Sequence, residues 1–492
     1  MPIIYAAIDP ITRIEGHLKI NVQIDAVNGV QQVVDAWSIG TLFRGFEKIL
    51  EQRDPRDAPI ITSRICGVCP TAHGLAAAMT LDNTFGVTIP DAALLLRNLV
   101  HGACFLESHI LHFYLLSLPD YVAGPEMAPW LPGLELSRRL DTRTEKSLLG
   151  HYLQAVVMRR LAHEMGAIYG GRLPHSPGFI AGGFTAVSSA ENKSAFQAKL
   201  TQLTAFIRDV YLPDARLLAS LYSDYYTIGK GFGNLISFGT FDLDTAGTNK
   251  LLRAGRVVDG QAGVQPVNQA MISEHIKHSW YDDSTNDLPP ASGETIARHP
   301  KKDAYSWLKS PRYSGGSYEC GPLSRMMATG VYTNGVSVMD RHLARAEEAL
   351  RIVTAMQEWL DALPVGANPY TPAPVPQSAS GMGLTEAPRG ALGHWLRIEN
   401  KVISHYQVIT PTCWNCSPRD TAGQRGPLEQ ALVGTPVERA DQPVEVLRVV
   451  HSMDPCLDCA THVIRPGGQD TVYELWRPSV QRTAQSKEAA HA

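Results

Sequence analysis

The sequence predicts an α+β fold that is mainly α. Three observations lead there. Stretches with helical periodicity (Leu42 to Gln52, 92–118, 141–168, 190–226 and Met339 to Leu363) outweigh those with strand alternation (3–38, Trp395 to Ile398 and Val402 to Ile409). Of the 492 residues, 44% are hydrophobic, enough for a large buried core. Two C-x-x-C pairs, Cys66/Cys69 and Cys456/Cys459, lie near opposite ends of the chain. Length alone would allow about two to four domains, but a centre shared by both ends favours one integrated body.

Each element has its own signal. His17 to Asp25 alternates apolar and polar residues, as a half-buried strand does. Ser63 is positioned to cap a helix carrying Cys66 and Cys69, with His73 on the same helix and Gly67 leaving room at the metal. Residues 92–118 read as a largely apolar helix, and 141–168 and 190–226 as helical. The stretch 268–320, rich in Pro, Ser, Gly, Asp and Lys, reads as a long surface excursion. Met339 to Leu363 is amphipathic, with Leu343, Ala346, Leu350, Val353, Met356 and Leu360 on its core face. Pro372 to Gly381 reads as a connector, and Asn400 as the turn of a hairpin. The end of the chain, Gln481 to Ala492, is polar and expected to be disordered.

Composition narrows the function. A net charge of −4 with 19% charged residues points away from nucleic-acid and membrane-surface binding. No apolar run reaches the roughly 18 residues of a membrane span. No basic stretch followed by an apolar one marks a secretory signal, so synthesis and folding are expected in the cytoplasm, with any export signal carried by a partner. Four of the eight cysteines belong to the two pairs, and metal or redox roles are expected rather than a disulfide framework. Four gathered thiolates favour zinc, nickel, copper(I) or iron over magnesium or calcium. On spacing alone, two unrelated motifs, or a closed zinc site clamping the termini, account for the pattern as readily as an open centre.

The flanking residues decide more. Arg64-Ile-Cys-Gly-Val-Cys69 runs on into Pro70-Thr-Ala-His73, and Asp454-Pro-Cys-Leu-Asp-Cys-Ala-Thr-His462 stands near the other end. With Arg13-Ile-Glu-Gly-His17, Arg44-Gly-Phe-Glu47, Glu386-Ala-Pro-Arg-Gly390 and Thr412-Cys-Trp-Asn415, these runs resemble, in order, the signatures of the nickel–iron hydrogenase large subunit. The resemblance spans residues 13 to 462. It implies a large helical bundle core with small peripheral β-sheets, and an uptake-type enzyme that cleaves hydrogen reversibly into protons and electrons.

The resemblance also implies a site. Nickel would be held by Cys66, Cys69, Cys456 and Cys459, with Cys69 and Cys459 bridging to an iron that carries carbon monoxide and two cyanides. Glu47 and His462 would hold magnesium, or iron in some members, as a carboxylate suits a hard cation. Arg389, beside Pro388, would hang over the open side of the metals, anchored by Asp454. Thr412 would hydrogen-bond an iron-bound cyanide. Cys456 would take the first proton and Glu15 the next. Ser108 stands where many members have an aspartate of the polar canopy. Asp458 is assigned no role. Cys413-Trp-Asn-Cys416 is unusual for the family; the preferred reading is a pair of small buried substitutes, with a regulatory disulfide as the alternative. No further cysteine set suggests an iron–sulfur cluster, so electrons are expected to leave through an iron–sulfur small subunit in an obligate heterodimer. Nickel-insertion factors and a maturation endopeptidase are expected partners. The protease would cut after His462, leaving 1–462 as one domain and removing Val463–Ala492.

Two rivals share the resemblance. A hydrogen sensor with slow turnover typically carries Ile and Phe at two gas-channel positions and Gln at the histidine after the first pair; Val68, Leu116 and His73 match turnover enzymes instead. The quinone-binding subunit of respiratory complex I shares the fold but lacks the four cysteines.

Overall fold

Alternating apolar residues build the first sheet. β1 (Ile4–Ile8), β2 (Leu18–Val27) and β3 (Val30–Gly40) pair antiparallel in that order. Leu18, Ile20, Val22 and Ile24 turn inward at every second position of β2. Asn28 and Gly29, both at positive φ, form the two-residue turn that follows. This computed structural model describes residues 3–127, 130, 139–457 and 479–481. The short strand Ser479–Gln481 pairs with the outer edge of β1.

Helices form most of the core: α1 (Pro70–Phe85), α2 (Asp91–Ile110), α3 (Thr142–Gly170), α4 (Ala190–Phe206), α5 (Leu212–Leu221), α6 (Pro322–Thr329) and α7 (Val338–Ala362). Asp141, Ser189 and Ser337 accept the N–H groups of Thr144, Asn192 and Asp340, capping α3, α4 and α7. α2 packs against α3 and α7, and α7 also receives α4, α5 and α6. Gly102 permits the close approach of α2 and α7, since a Cβ there would lie 2.7 Å from the sulfur of Met356. The segment Asp91–Asp120 is long and apolar enough to cross a membrane, yet 89% of its most apolar window is buried inside the protein. It is a core helix.

Two expectations need correction. On α7 the predicted face is buried, with Leu350 half-buried, but Asp340, Arg341, His342, Arg345 and Glu348 are buried as well. The helix is enclosed on all sides over its N-terminal half rather than amphipathic. Its charges are compensated internally, Arg341 by Glu319 and Glu348 by Arg325. The stretch 268–320 is a surface excursion only in part: residues 296–300 are exposed, but 308–313 are buried. Strands Ile272–His275 and Ser310–Tyr313 pair within it, and Glu274, Lys309 and Arg312 are buried. Arg312 Nε donates to Asp420 at 2.9 Å and Lys309 lies 3.4 Å from Glu274. A polar composition marks a loop only where water satisfies it; here the polar groups satisfy one another.

A second meander consists of β4 (Ser378–Ala387), β5 (Gly390–Glu399) and β6 (Val402–Ile409). Asn400 and Lys401 at positive φ make the β5–β6 turn. The connector expected from Pro372 to Gly381 therefore stops at Gln377. Glycines hide β4 in the sequence. A Cβ on Gly381 or Gly383 would lie 2.4 Å from Thr84 Oγ1 or 2.5 Å from the Ala76 carbonyl, so glycine lets the strand press onto α1.

Pro388 and Arg389 form the two-residue tip between β4 and β5, with Ala387 opposite Gly390. Hairpin tips ordinarily meet water, but this one is buried, with Arg389 only 2% exposed. Gly390 sits at φ 139, and a Cβ there would meet Cys320 Sγ at 2.4 Å. Gly390→Ala should cost about 2 kcal/mol or more through strain and overpacking. Thermal unfolding followed by circular dichroism checks this, and an unchanged midpoint would refute the close packing.

Candidate metal centre

Three cysteines meet from the two ends of the chain. Cys66 is extended after the 3-10 turn Ser63–Ile65, and Cys69 is the N-cap of α1. The expected Ser63 cap is corrected: its hydroxyl donates to the Ile60 carbonyl at 2.7 Å, and both cysteines precede the helix. Pro70 at the first helical position sets that start, having no N–H to continue backward. The loop folds over Cys66 Sγ, which accepts the N–H groups of Val68 at 3.3 Å and Cys69 at 3.1 Å. His73 does lie on α1.

Cys456 arrives from α8 (Val444–Ser452) through Asp454, which adopts positive φ. Its sulfur lies 3.3 Å from Cys66 Sγ, well beyond the roughly 2.0 Å of a disulfide. The sulfurs of Cys66, Cys69 and Cys456 are all buried and lie within 4.8 Å of one another. Soft donors at that spacing fit one soft or borderline metal ion. Cys459, Asp458 and His462 lie outside the described residues, as do most of Val463–Ala492.

Glu15 ties the two cysteine segments together. Its backbone bridges in parallel to Cys456, and its carbonyl accepts the Leu457 N–H at 2.7 Å. Its carboxylate accepts the Gly67 N–H at 3.1 Å. The room that Gly67 leaves is bordered by this carboxylate, 2.9 Å from where a Cβ would sit. Thr412 Oγ1 accepts the Cys456 N–H at 3.0 Å, so its own hydrogen remains to donate elsewhere. Cys413 and Cys416 are free thiols. Burial pushes Cys413 up to about 11 and Cys416 higher still, the reverse of an activated redox pair.

Arg389 shares the buried space of the sulfurs. Burial lowers its pKa, but Asp454, Cys456, Cys69 and Cys66 outweigh that and hold it well above the ordinary arginine value. Its Nε lies 3.0 Å from Asp454 Oδ1 as an ion pair, without the direction of a hydrogen bond. Nη1 donates to Ser108 Oγ at 3.4 Å. Elsewhere, Glu47 is buried on the short helix Phe46–Leu50, and Oε2 has no hydrogen-bond partner among the described residues. Burial raises it to about 7 against the pull of Lys309. His73 Nδ1 meets His394 Nε2 at 3.3 Å, and burial lowers His73 to about 4, leaving it neutral.

Sequence reasoning passed over a buried triad that fixes these segments. Asp120 accepts from Arg13 Nη2 and from His451 Nδ1, each at 2.5 Å. Arg13 Nη1 also donates to the Leu116 carbonyl at 2.7 Å. The triad holds the Glu15 segment to α8 and hence to Cys456. Asp120 follows a long apolar helix in Leu-Pro-Asp, where an acid normally reads as a solvated end. Its burial was the part with no local signal.

The family model described as nickel-dependent hydrogenase matches residues 44–128, 126–335 and 330–462. The chain belongs to the nickel-dependent hydrogenase family. A second model, HoxL-like, matches residues 6–34. The periplasmic [NiFeSe] hydrogenase large subunit of Desulfomicrobium baculatum is 40% identical, covering 93% of this chain and 95% of the relative. The uptake hydrogenase large subunit of Bradyrhizobium diazoefficiens is 32% identical, covering 94% and 96%. The Ni-Fe-Se hydrogenase of D. vulgaris Hildenborough superimposes with a TM-score of 0.90 at 39% identity, covering 94% of this chain and all of that one. This hydrogenase large subunit has the mainly helical fold with small sheets that the resemblance implied, and hydrogen cleavage is its chemistry. The zinc-protein and complex I readings fall with it.

The triad has a measurable signature. Burial raises Asp120, but Arg13 and His451 outweigh that and hold it at about 2. That value lies below the roughly 3.9 of an unfolded aspartate. Its stabilisation is therefore present above about pH 4 and lost as pH falls toward 2. Asp120→Asn should cost about 3 kcal/mol at neutral pH, by removing the buried carboxylate that joins Arg13 and His451, and flatten this acid limb. Denaturation midpoints of both chains from pH 2 to 7 check it; parallel declines would refute the lowered Asp120.

Proposed function

We propose that this chain is the catalytic large subunit of a nickel–iron hydrogenase of the turnover, uptake type. The observation that carries the reading is the meeting of three buried sulfurs from both chain ends beside the buried cation of Arg389. Cys66, Cys69, Cys456 and Cys459 would hold the nickel, and Cys69 and Cys459 would share it with an iron that carries carbon monoxide and two cyanides. Bound there, the centre supplies the Lewis-acid and redox chemistry for heterolytic cleavage of hydrogen. The Desulfomicrobium and D. vulgaris relatives are selenium enzymes by name; all four positions here are cysteine.

The chain's own residues supply the rest. Arg389, on the Pro388–Arg389 tip, polarises the gas site from its fixed position. Ser108 is a neutral partner for it, so Asp454 carries its counter-charge. Cys456 takes the first proton and Glu15 the next, a route supported by the backbone bridge between them. The remaining O–H of Thr412 donates to a cyanide. Glu47 and His462 hold magnesium or iron, which suits a buried carboxylate with a spare oxygen. Val68, Leu116 and His73 support turnover over sensing.

The partner is an iron–sulfur small subunit, which carries the electrons out of an obligate heterodimer. Residues 1–462 act as one domain, and an endopeptidase removes Val463–Ala492 once nickel-insertion factors have loaded the site. Synthesis is cytoplasmic, with the final compartment set by the partner; the Desulfomicrobium relative is periplasmic by name.

The enzyme purified with its partner should contain nickel and iron, show infrared bands of metal-bound carbon monoxide and cyanide, and reduce an artificial dye with hydrogen. Zinc without nickel, or no dye reduction with a loaded centre, would overturn the reading. Intact mass of the active large subunit should correspond to a chain ending at His462. Full-length chain with full activity would refute processing.

A further inference from the structure

We propose that Arg325 is a positioning residue, holding the buried β4–β5 tip so that Arg389 keeps its place beside the cysteine sulfurs. The inference rests on the reading of Arg389 given above. A hairpin tip enclosed by protein has backbone carbonyls that water cannot reach, and each needs a donor. Arg325, on α6 and 0% exposed, supplies two: Nη1 to the Ala387 carbonyl at 3.0 Å and Nη2 to the Pro388 carbonyl at 2.8 Å.

Its other donors are also taken. Nη1 donates to Glu386 Oε2 at 2.9 Å, and Nε and Nη2 form a fork on Glu348 at 2.6 and 2.7 Å. All five N–H groups of the guanidinium have an acceptor, and three of those acceptors belong to Glu386, Ala387 and Pro388. The carboxylates are themselves fixed. Glu386 Oε1 accepts the Phe238 N–H at 2.6 Å, and Glu348 Oε2 also accepts from His109 Nε2 at 2.8 Å. Gly321, just before α6, backs the tip: a Cβ there would lie 3.3 Å from the Arg389 carbonyl. One element thus both backs Arg389 and clamps its two predecessors. A lysine carries one ammonium in place of the fork, so it cannot reproduce these five bonds.

The test uses the mature two-subunit enzyme as parent, Arg325→Lys, Arg389→Lys and the double variant. Dye-coupled hydrogen oxidation and amide deuterium exchange of the 387–391 peptide are measured on each. Arg325→Lys should lower kcat by about tenfold to a hundredfold, leave KM for hydrogen nearly unchanged, and speed exchange at the tip. In the Arg389→Lys background it should lower kcat by less than about twofold further. Unchanged tip exchange, or equal losses in both backgrounds, would overturn the proposal. If Arg389→Lys is fully active, the reading of Arg389 fails, and the exchange data alone decide whether Arg325 holds the tip. Should Arg325→Lys give no folded enzyme, Glu386→Gln replaces it, keeping an acceptor for the Phe238 N–H while weakening the Arg325 contact. Faster tip exchange in that variant supports the clamp and unchanged exchange overturns it.

Discussion

A guanidinium kept out of water must find its counter-charge inside the protein. Arg389 finds it in Asp454 and in the sulfurs of Cys456, Cys69 and Cys66. Asp454 stands two residues before Cys456, so the counter-ion and a metal-binding sulfur arrive on the same strand of chain. Placing the cation therefore places the thiol, and the reverse. Gathered negative sulfurs repel one another in a low-dielectric interior, and a fixed cation beside them offsets that repulsion. The remaining contacts of the centre preserve this arrangement: Glu15 grips both cysteine segments, and Thr412 holds the Cys456 backbone.

Ion pairs buried elsewhere follow the same logic. Arg13 and His451 join on Asp120, Arg325 joins Glu348 to Glu386, Arg341 meets Glu319, and Arg312 meets Asp420. Each links segments far apart in sequence. A buried pair gains little over well-packed apolar residues once desolvation is counted, while losing one partner is costly. Such pairs are poor at adding stability and good at fixing one geometry. Two of them hold segments of the centre, Asp120 the one that carries Glu15 and Arg325 the tip that carries Arg389, where an error of an ångström matters to a reaction.

The sequence showed what repeats locally or keeps its neighbours. Alternation in β2 and the helical periods of α2, α3 and α7 were legible, and so were the cysteine pairs with their flanking runs. What failed depended on another segment. β4 was hidden because Gly381 and Gly383 answer to α1 and not to their own strand. Gly67 had a reason to be small, but the carboxylate bordering it belongs to Glu15, far away in the chain. The polar run 268–320 looked solvated because its partners, such as Asp420, lie outside it. Arg325 gave no sign at all, since a helical arginine is usually exposed and its five bonds are explained only by the buried tip together with Glu348.

The two ends of the chain do not depend on the centre in the same way. Cys66 and Cys69 are set by a loop that closes on its own sulfur before Pro70 starts α1. Cys456 has no such local loop among the described residues. Its place comes from Glu15, Thr412 and the α8 segment held by Asp120. Among the described residues, the first sulfur of the second pair is thus seated by segments from the body of the protein.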